Sequence, residues 1–102
     1  MYSARDERDH AEWIQLVESV TADLELGTEV RSVAVDLFLS DVPDADRSKR
    51  AALAASVYAA TLIAGDGRSQ TAVADAADVS RITVQNRWRE RLETAGLEPP
   101  SW

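Results

Sequence analysis

The chain has 102 residues, 18 of them Asp or Glu against 11 Lys or Arg, with one His, no Cys and a net charge of -7. That length fits one domain with a single modest core. The missing Cys excludes disulfides, thiolate metal sites and a cysteine nucleophile, and His10 alone cannot build a histidine metal cluster, so no metal and no other cofactor is expected.

Lys49 is the one lysine of the chain. Lysine scarcity beside excess Asp and Glu is the composition of a protein adapted to a salt-filled cytoplasm, where acidic surfaces maintain solubility; an ordinary acidic protein that prefers Arg is the alternative. The charge is unevenly divided. Residues 1–46 carry twelve acidic and three basic side chains, whereas residues 47–102 carry six and eight. An anionic partner is therefore expected at the C-terminal half. Met1 to Arg8 is polar and has no apolar run, which argues against a signal peptide and for a cytoplasmic protein; residues 1–8 read as an arm before a domain over 9–94.

From about Asp9 to Leu24 the apolar positions Trp13, Ile14, Val17, Val20 and Leu24 recur at three and four, one face of a first helix. Leu26 and Gly27 end it. Thr28 is the expected cap of a second helix with Val30, Val33, Ala34, Leu37 and Phe38 inward, and Pro43 with Asp41 and Asp44 closes it into a loop. Residues 51–64 then form an uncharged run of Ala with Leu53, Val57, Tyr58, Leu62 and Ile63, capped by Asp46 or Ser48 and closed by Gly65. Its apolar character runs round the whole cylinder, so it must be buried on every side. A membrane span needs roughly 20 apolar residues, so the other helices must serve as its jacket and no membrane contact is expected.

Beyond Gly65-Asp66-Gly67, Ser69 caps a short helix from Gln70 to Ala77 that turns Val73 and Ala77 inward. Ala77-Asp78-Val79 forms a turn in which Asp78 takes a left-handed conformation; Gly suits that best and Asp tolerates it. Ser80 caps the last helix, Arg81 to about Glu93, with Val84, Trp88 and Leu92 inward. Ala95-Gly96 ends it, and residues 95–102, with Pro99, Pro100 and Trp102, read as a tail. No strand pattern occurs, so the fold class is all-α.

Ser69 to Glu93 thus has the order of a helix-turn-helix. Opposite the inward stripe its second helix presents Ile82, Thr83, Asn86 and Arg89, with Arg81 and Gln85 at the borders. Gln and Asn can bond adenine edges bidentately, Arg suits guanine or phosphate, and Ile82 can touch a thymine methyl. Arg87 and Arg91 flank this face and are placed for phosphates, as are Ser69 and Gln70 at the start of the short helix. The bland alternative is a solvated face on which Arg87, Glu90, Arg91 and Glu93 form weak surface ion pairs.

The run Arg47-Ser48, Ala51 to Ala60, Arg68-Ser69-Gln70 with Val73-Ala74, and Val79-Ser80 with Ile82-Thr83-Val84 and Asn86-Arg87-Trp88 resembles the cyclin-like repeat of archaeal transcription factor B, the counterpart of eukaryotic transcription factor IIB. It looks most like the second, C-terminal repeat, and Leu24-Glu25-Leu26 matches that repeat's Leu-x-Leu joint. The resemblance covers about Trp13 to Glu93. It implies a five-helix cyclin-like fold with a buried central third helix and a C-terminal helix-turn-helix on double-stranded promoter DNA beside the TATA box. In the family, positions matching Ile82 and Gln85 touch bases, and Thr83 matches a family Thr. Gln85 stands where the family commonly has Arg, Asp78 replaces the usual turn Gly, and Lys49 replaces a common Pro. With one repeat and no Cys for a zinc ribbon, polymerase recruitment in the family manner is not expected.

At roughly 1 M salt the screening length is about 3 Å, so the distant acidic half scarcely opposes DNA contact by the last helix. Counterion release is weaker there as well, so affinity must rest on shape, base contacts and partners. A lone helix-turn-helix reads few bases, which implies a homodimer or the TATA-binding protein alongside. Two readings follow: a DNA-binding transcription regulator, or an interaction module that binds the TATA-binding protein or a transcription factor without reading DNA. No clustered nucleophile, base and orienting group suggests an enzyme.

Overall fold

A computed structural model describes residues 10–96, and these form five helices without a strand. They are α1 (Ala11–Asp23), α2 (Thr28–Leu39), α3 (Asp46–Ala64), α4 (Gln70–Ala77) and α5 (Arg81–Thr94). The arm expected over residues 1–8 and the tail from residue 97 onward lie outside the described residues. Among those described, no helix is long and apolar enough to cross a membrane.

The uncharged run does form the axis of the molecule. Ala51 to Val57 and Ala59 to Thr61 are all buried, and every other helix packs on α3, most extensively α2 and α5. Burial on every side does not hold to the end of the run, however: Tyr58, Leu62 and Ala64 are half-buried and Ile63 is 46% exposed. Small side chains let neighbouring backbones come close, so the bulk of the core is supplied from outside: Val17 and Val20 from α1, Leu37 and Phe38 from α2, Val73 from α4, and Val84 and Leu92 from α5. This is the five-helix, centrally organised arrangement expected of a cyclin-like repeat.

Two expected caps are displaced. The helix α2 begins at Thr28 itself, with Gly27 as its N-cap and no side-chain bond there. The helix α3 starts at Asp46 behind Ala45, so neither Asp46 nor Ser48 caps it; Asp46 lies in its first turn, where its charge complements the positive end of the helix dipole. The inward face of α2 also differs by one position, with Val35 buried and Val33 only partly so.

Three helices end in the same way. In each, a left-handed residue at or just after the cap and the residue following it make a pair of backbone bonds, one reaching back three residues and one five, the Schellman pattern. After α1, Glu25 N donates to Ala22 O (3.0 Å) and Leu26 N to Thr21 O (2.8 Å). After α3, Gly65 N donates to Leu62 O (3.4 Å) and Asp66 N to Thr61 O (3.0 Å). After α4, Asp78 N donates to Asp75 O (3.3 Å) and Val79 N to Ala74 O (3.0 Å). The left-handed residues are Glu25 (φ 56°), Gly65 (φ 72°) and Asp78 (φ 59°). Asp78 was expected there; at the first joint the left-handed residue is Glu25 and not the nearby Gly27, whose φ is -81°.

Candidate nucleic-acid interface

The last two helices are specified at their starts by local chemistry. Ser69 Oγ accepts from Ala72 N (3.0 Å) and Ser80 Oγ accepts from Thr83 N (3.2 Å), so each helix has one otherwise orphaned donor satisfied by its cap. Between them Asp78 supplies the left-handed turn. From the other side Arg50 of α3 donates to Ala77 O (3.2 Å), which secures the end of α4 against the central helix.

Val84, Trp88 and Leu92 of α5 are buried as expected, and Trp88 meets Tyr58 of α3 edge-on with ring centroids 5.6 Å apart. The opposite side faces solvent: Arg81, Ile82, Gln85, Asn86, Arg87 and Arg89 are all exposed. Ile82 is 55% exposed, one of two large apolar side chains so displayed among the described residues. It stands amid amide and guanidinium side chains on this outward face.

Not every expected contact residue is equally available. Thr83 is half-buried and its hydroxyl lies 2.9 Å from Ser80 Oγ, within the capping arrangement. Arg81 Nη1 donates to Gln70 Oε1 (3.3 Å), tying the first residue of α5 to the first of α4. Arg89 lies over the Trp88 ring, 5.0 Å from its centroid.

Arg91 corrects the sequence reading. It was expected on the outer flank for phosphates, yet it is only 4% exposed and its side chain runs inward. Its Nη2 donates to Leu37 O (2.8 Å) and Phe38 O (3.1 Å), and its Nε to Ser56 Oγ (3.3 Å). Burial lowers its pKa, while the negative charges of Asp41 and Glu90 push it back up and Arg87 adds to the lowering. A guanidinium so engaged has no reach to a phosphate.

Two further residues escaped the sequence reading. Arg68 donates through Nε to Leu24 O (3.1 Å) and through Nη2 to Glu25 O (3.4 Å), while its Nη1 pairs with Asp66 (2.7 Å). It therefore joins the loop before α4 to the end of α1, using carbonyls that a helix terminus leaves unsatisfied. Lys49 sits 5.9 Å from the Trp13 ring centroid and 3.7 Å from Asp46, bringing α1 to the start of α3. A signal for Arg68 exists only in hindsight, since nothing local links residue 68 to residue 24.

Beside the outward face of α5 lies a groove of about 1000 Å³ between α1, the start of α3 and the turn, with Trp13, Leu16, Arg47, Val79, Thr83 and Arg87 among its lining residues. Its charged groups are mixed in sign, Glu12, Asp46 and Asp78 against Arg47, Arg50 and Arg87. Among the described residues no group of His, Asp and Glu side chains is arranged to hold a metal ion.

The family model described as "Transcription factor TFIIB repeat" matches residues 7–94. Transcription initiation factor IIB of Haloarcula vallismortis is 33% identical over 86 residues, covering 81% of this chain and 75% of that protein. Transcription initiation factor IIB 7 of Halobacterium salinarum is 33% identical over 79 residues, 74% of this chain but 24% of that protein. For the transcription initiation factor IIB of Pyrococcus abyssi the figures are 31% over 87 residues, 82% of this chain and 29% of that protein. The chain thus spans most of the Haloarcula protein and less than a third of the other two.

Proposed function

The chain belongs to the transcription factor TFIIB repeat family, and on that premise we propose that it is a DNA-binding transcription regulator that lays α5 in a major groove of promoter DNA. The observation that carries this reading is the division of α5 into two faces. Its apolar stripe is consumed by the core, while Arg81, Ile82, Gln85, Asn86 and Arg89 project together from a helix whose start is locked by a serine cap. Those side chains supply amide groups for adenine, guanidinium groups for guanine and an aliphatic contact for thymine. Arg87 on the flank, and Ser69 and Gln70 at the start of α4, serve the phosphates; Thr83 acts mainly through the cap.

The net charge of -7 sets the conditions. Such a protein binds DNA poorly in dilute buffer and well only where salt screens its acidic half. One helix reading a few base pairs also needs a second contact, from another copy of the chain or from the TATA-binding protein.

Selection of binding sequences from random duplex DNA in molar potassium chloride, with and without the TATA-binding protein, tests the proposal. Enrichment of a short defined sequence is expected. Gln85→Ala and Arg89→Ala are each expected to weaken binding by about 5- to 100-fold, the range for loss of one good base contact, while the melting temperature moves little. No enrichment in either condition, or variants that bind like the parent, would overturn it. Capture of the TATA-binding protein without DNA, unaffected by both substitutions, would instead favour an interaction module using the groove beside Trp13 and Arg47.

A further inference from the structure

We infer that Arg91 is a positioning residue, which pins α5 to the C-terminal end of α2 and so sets the angle at which Arg81 to Arg89 are presented. The inference rests on the proposed DNA reading for its functional consequence and on geometry for its physical basis.

Apolar packing holds α5 on the core without fixing it closely, because the attraction of Val84, Trp88 and Leu92 for their surroundings has little directional preference. Directional contacts must set the rotation and tilt of the helix. At its N-terminal end these are the Ser80 cap, the Arg81–Gln70 bond and the Arg50 bond to Ala77 O just before the turn. At its C-terminal end, the Arg91 guanidinium is a buried polar link from α5 to both α2 and α3.

The partners suit a guanidinium, although Leu37 O also accepts from the Ser40 hydroxyl (2.7 Å). Leu37 O and Phe38 O belong to the last turn of α2, where carbonyls lack amide partners within the helix and the helix dipole is negative. Ser56 donates its own proton to Ala52 O (2.7 Å), so its oxygen is left to accept from Arg91 Nε. The planar fork therefore touches two helices at once from a third, with every contact going to a neutral oxygen. A buried cation whose direct contacts are all neutral, with Asp41 and Glu90 acting on it only from beyond ion-pair distance, is a costly way to gain stability alone, whereas it defines one geometry sharply. Lysine, with a single compact head, cannot span the Ser56 hydroxyl and the α2 carbonyls together.

The test compares Arg91→Met, Arg91→Lys and Val20→Ala, the last removing core volume under α1, a helix that barely meets α5. All are measured in molar potassium chloride well below their melting temperatures. In the free protein, amide exchange across Ile82 to Arg89 is expected to accelerate at least about tenfold in Arg91→Met relative to α1, to recover partly in Arg91→Lys, and not to change selectively in Val20→Ala. Affinity for the duplex enriched by the parent chain is expected to fall about tenfold in Arg91→Met, less in Arg91→Lys, and to stay unchanged in Val20→Ala. If Arg91→Met does not fold, Arg91→Lys carries the same comparison. Arg91 variants that match Val20→Ala in both measurements overturn the inference. A parent chain that enriches no duplex overturns the DNA reading instead, and amide exchange alone then decides the role of Arg91.

Discussion

The two flanks of the central helix are built on different terms. On one side α1 and α2 start without side-chain caps, at His10 and Gly27, and their outer surfaces carry Glu12, Glu18, Asp23, Glu29 and Asp36. On the other, α4 and α5 each start at a serine that bonds the first turn, and α5 displays arginine, amide and isoleucine side chains. Both flanks bury their apolar stripes in one core around the central helix. The difference teaches where the boundary of a helix has to be exact and where tertiary packing can set it. A flank that only covers the core tolerates a start a residue earlier or later, whereas a flank that, on the proposed function, holds side chains in a groove about 12 Å wide needs its first turn fixed.

The strongest way to break this comparison is to strike what the flanks share. Leu53→Ala, in the fully buried part of α3, is expected to cost about 2–5 kcal/mol and to lower stability of both flanks in one cooperative thermal transition. Two separate transitions would show that the flanks are independent units. Next in size are the caps. Ser69→Ala and Ser80→Ala are each expected to cost about 1 kcal/mol in chemical denaturation, against no more than about 0.5 kcal/mol for Thr28→Ala and Ser48→Ala, which cap nothing. Equal costs on the two sides would erase the distinction.

The smallest effects concern the left-handed joints. Glutamate pays a steric penalty at positive φ that aspartate partly offsets by local hydrogen bonding, so Glu25→Gly is expected to raise stability by about 0.5–1 kcal/mol and Asp78→Gly by less. A larger gain at Asp78 would mean that the turn between α4 and α5 is the more strained of the two.

The order of the helices was legible throughout, and α4 was legible to the residue, because Ser69, Ser80 and Asp78 are local signals whose meaning depends only on their neighbours. The central helix was legible because no polar face interrupts residues 51–64. Its first turn was not, since Asp46 and Ser48 are both good caps by type and the choice depends on where the loop from α2 arrives. Glu25 was hidden by Gly27, the conformationally freer residue two places on; the apolar Leu26 just after it, in the position that packs back on the helix in a Schellman motif, was the available hint. Arg91 was misread for another reason. It lies three residues after Trp88 and seven after Val84, so spacing alone puts it on the inward stripe, and only its charge argued for the outside. The carbonyls that receive it come from residues 37 and 38, fifty residues away, beyond the reach of any local pattern.

Because the alanines of the central helix from Ala51 to Ala60 are buried among the other helices, a bulkier side chain there has little slack to enter. The outward side chains of α5 have more room, although Arg81 bonds Gln70 and Arg89 lies over the Trp88 ring. Drift in a lineage can therefore alter this surface one residue at a time, while the scaffold beneath stays closed to experiment.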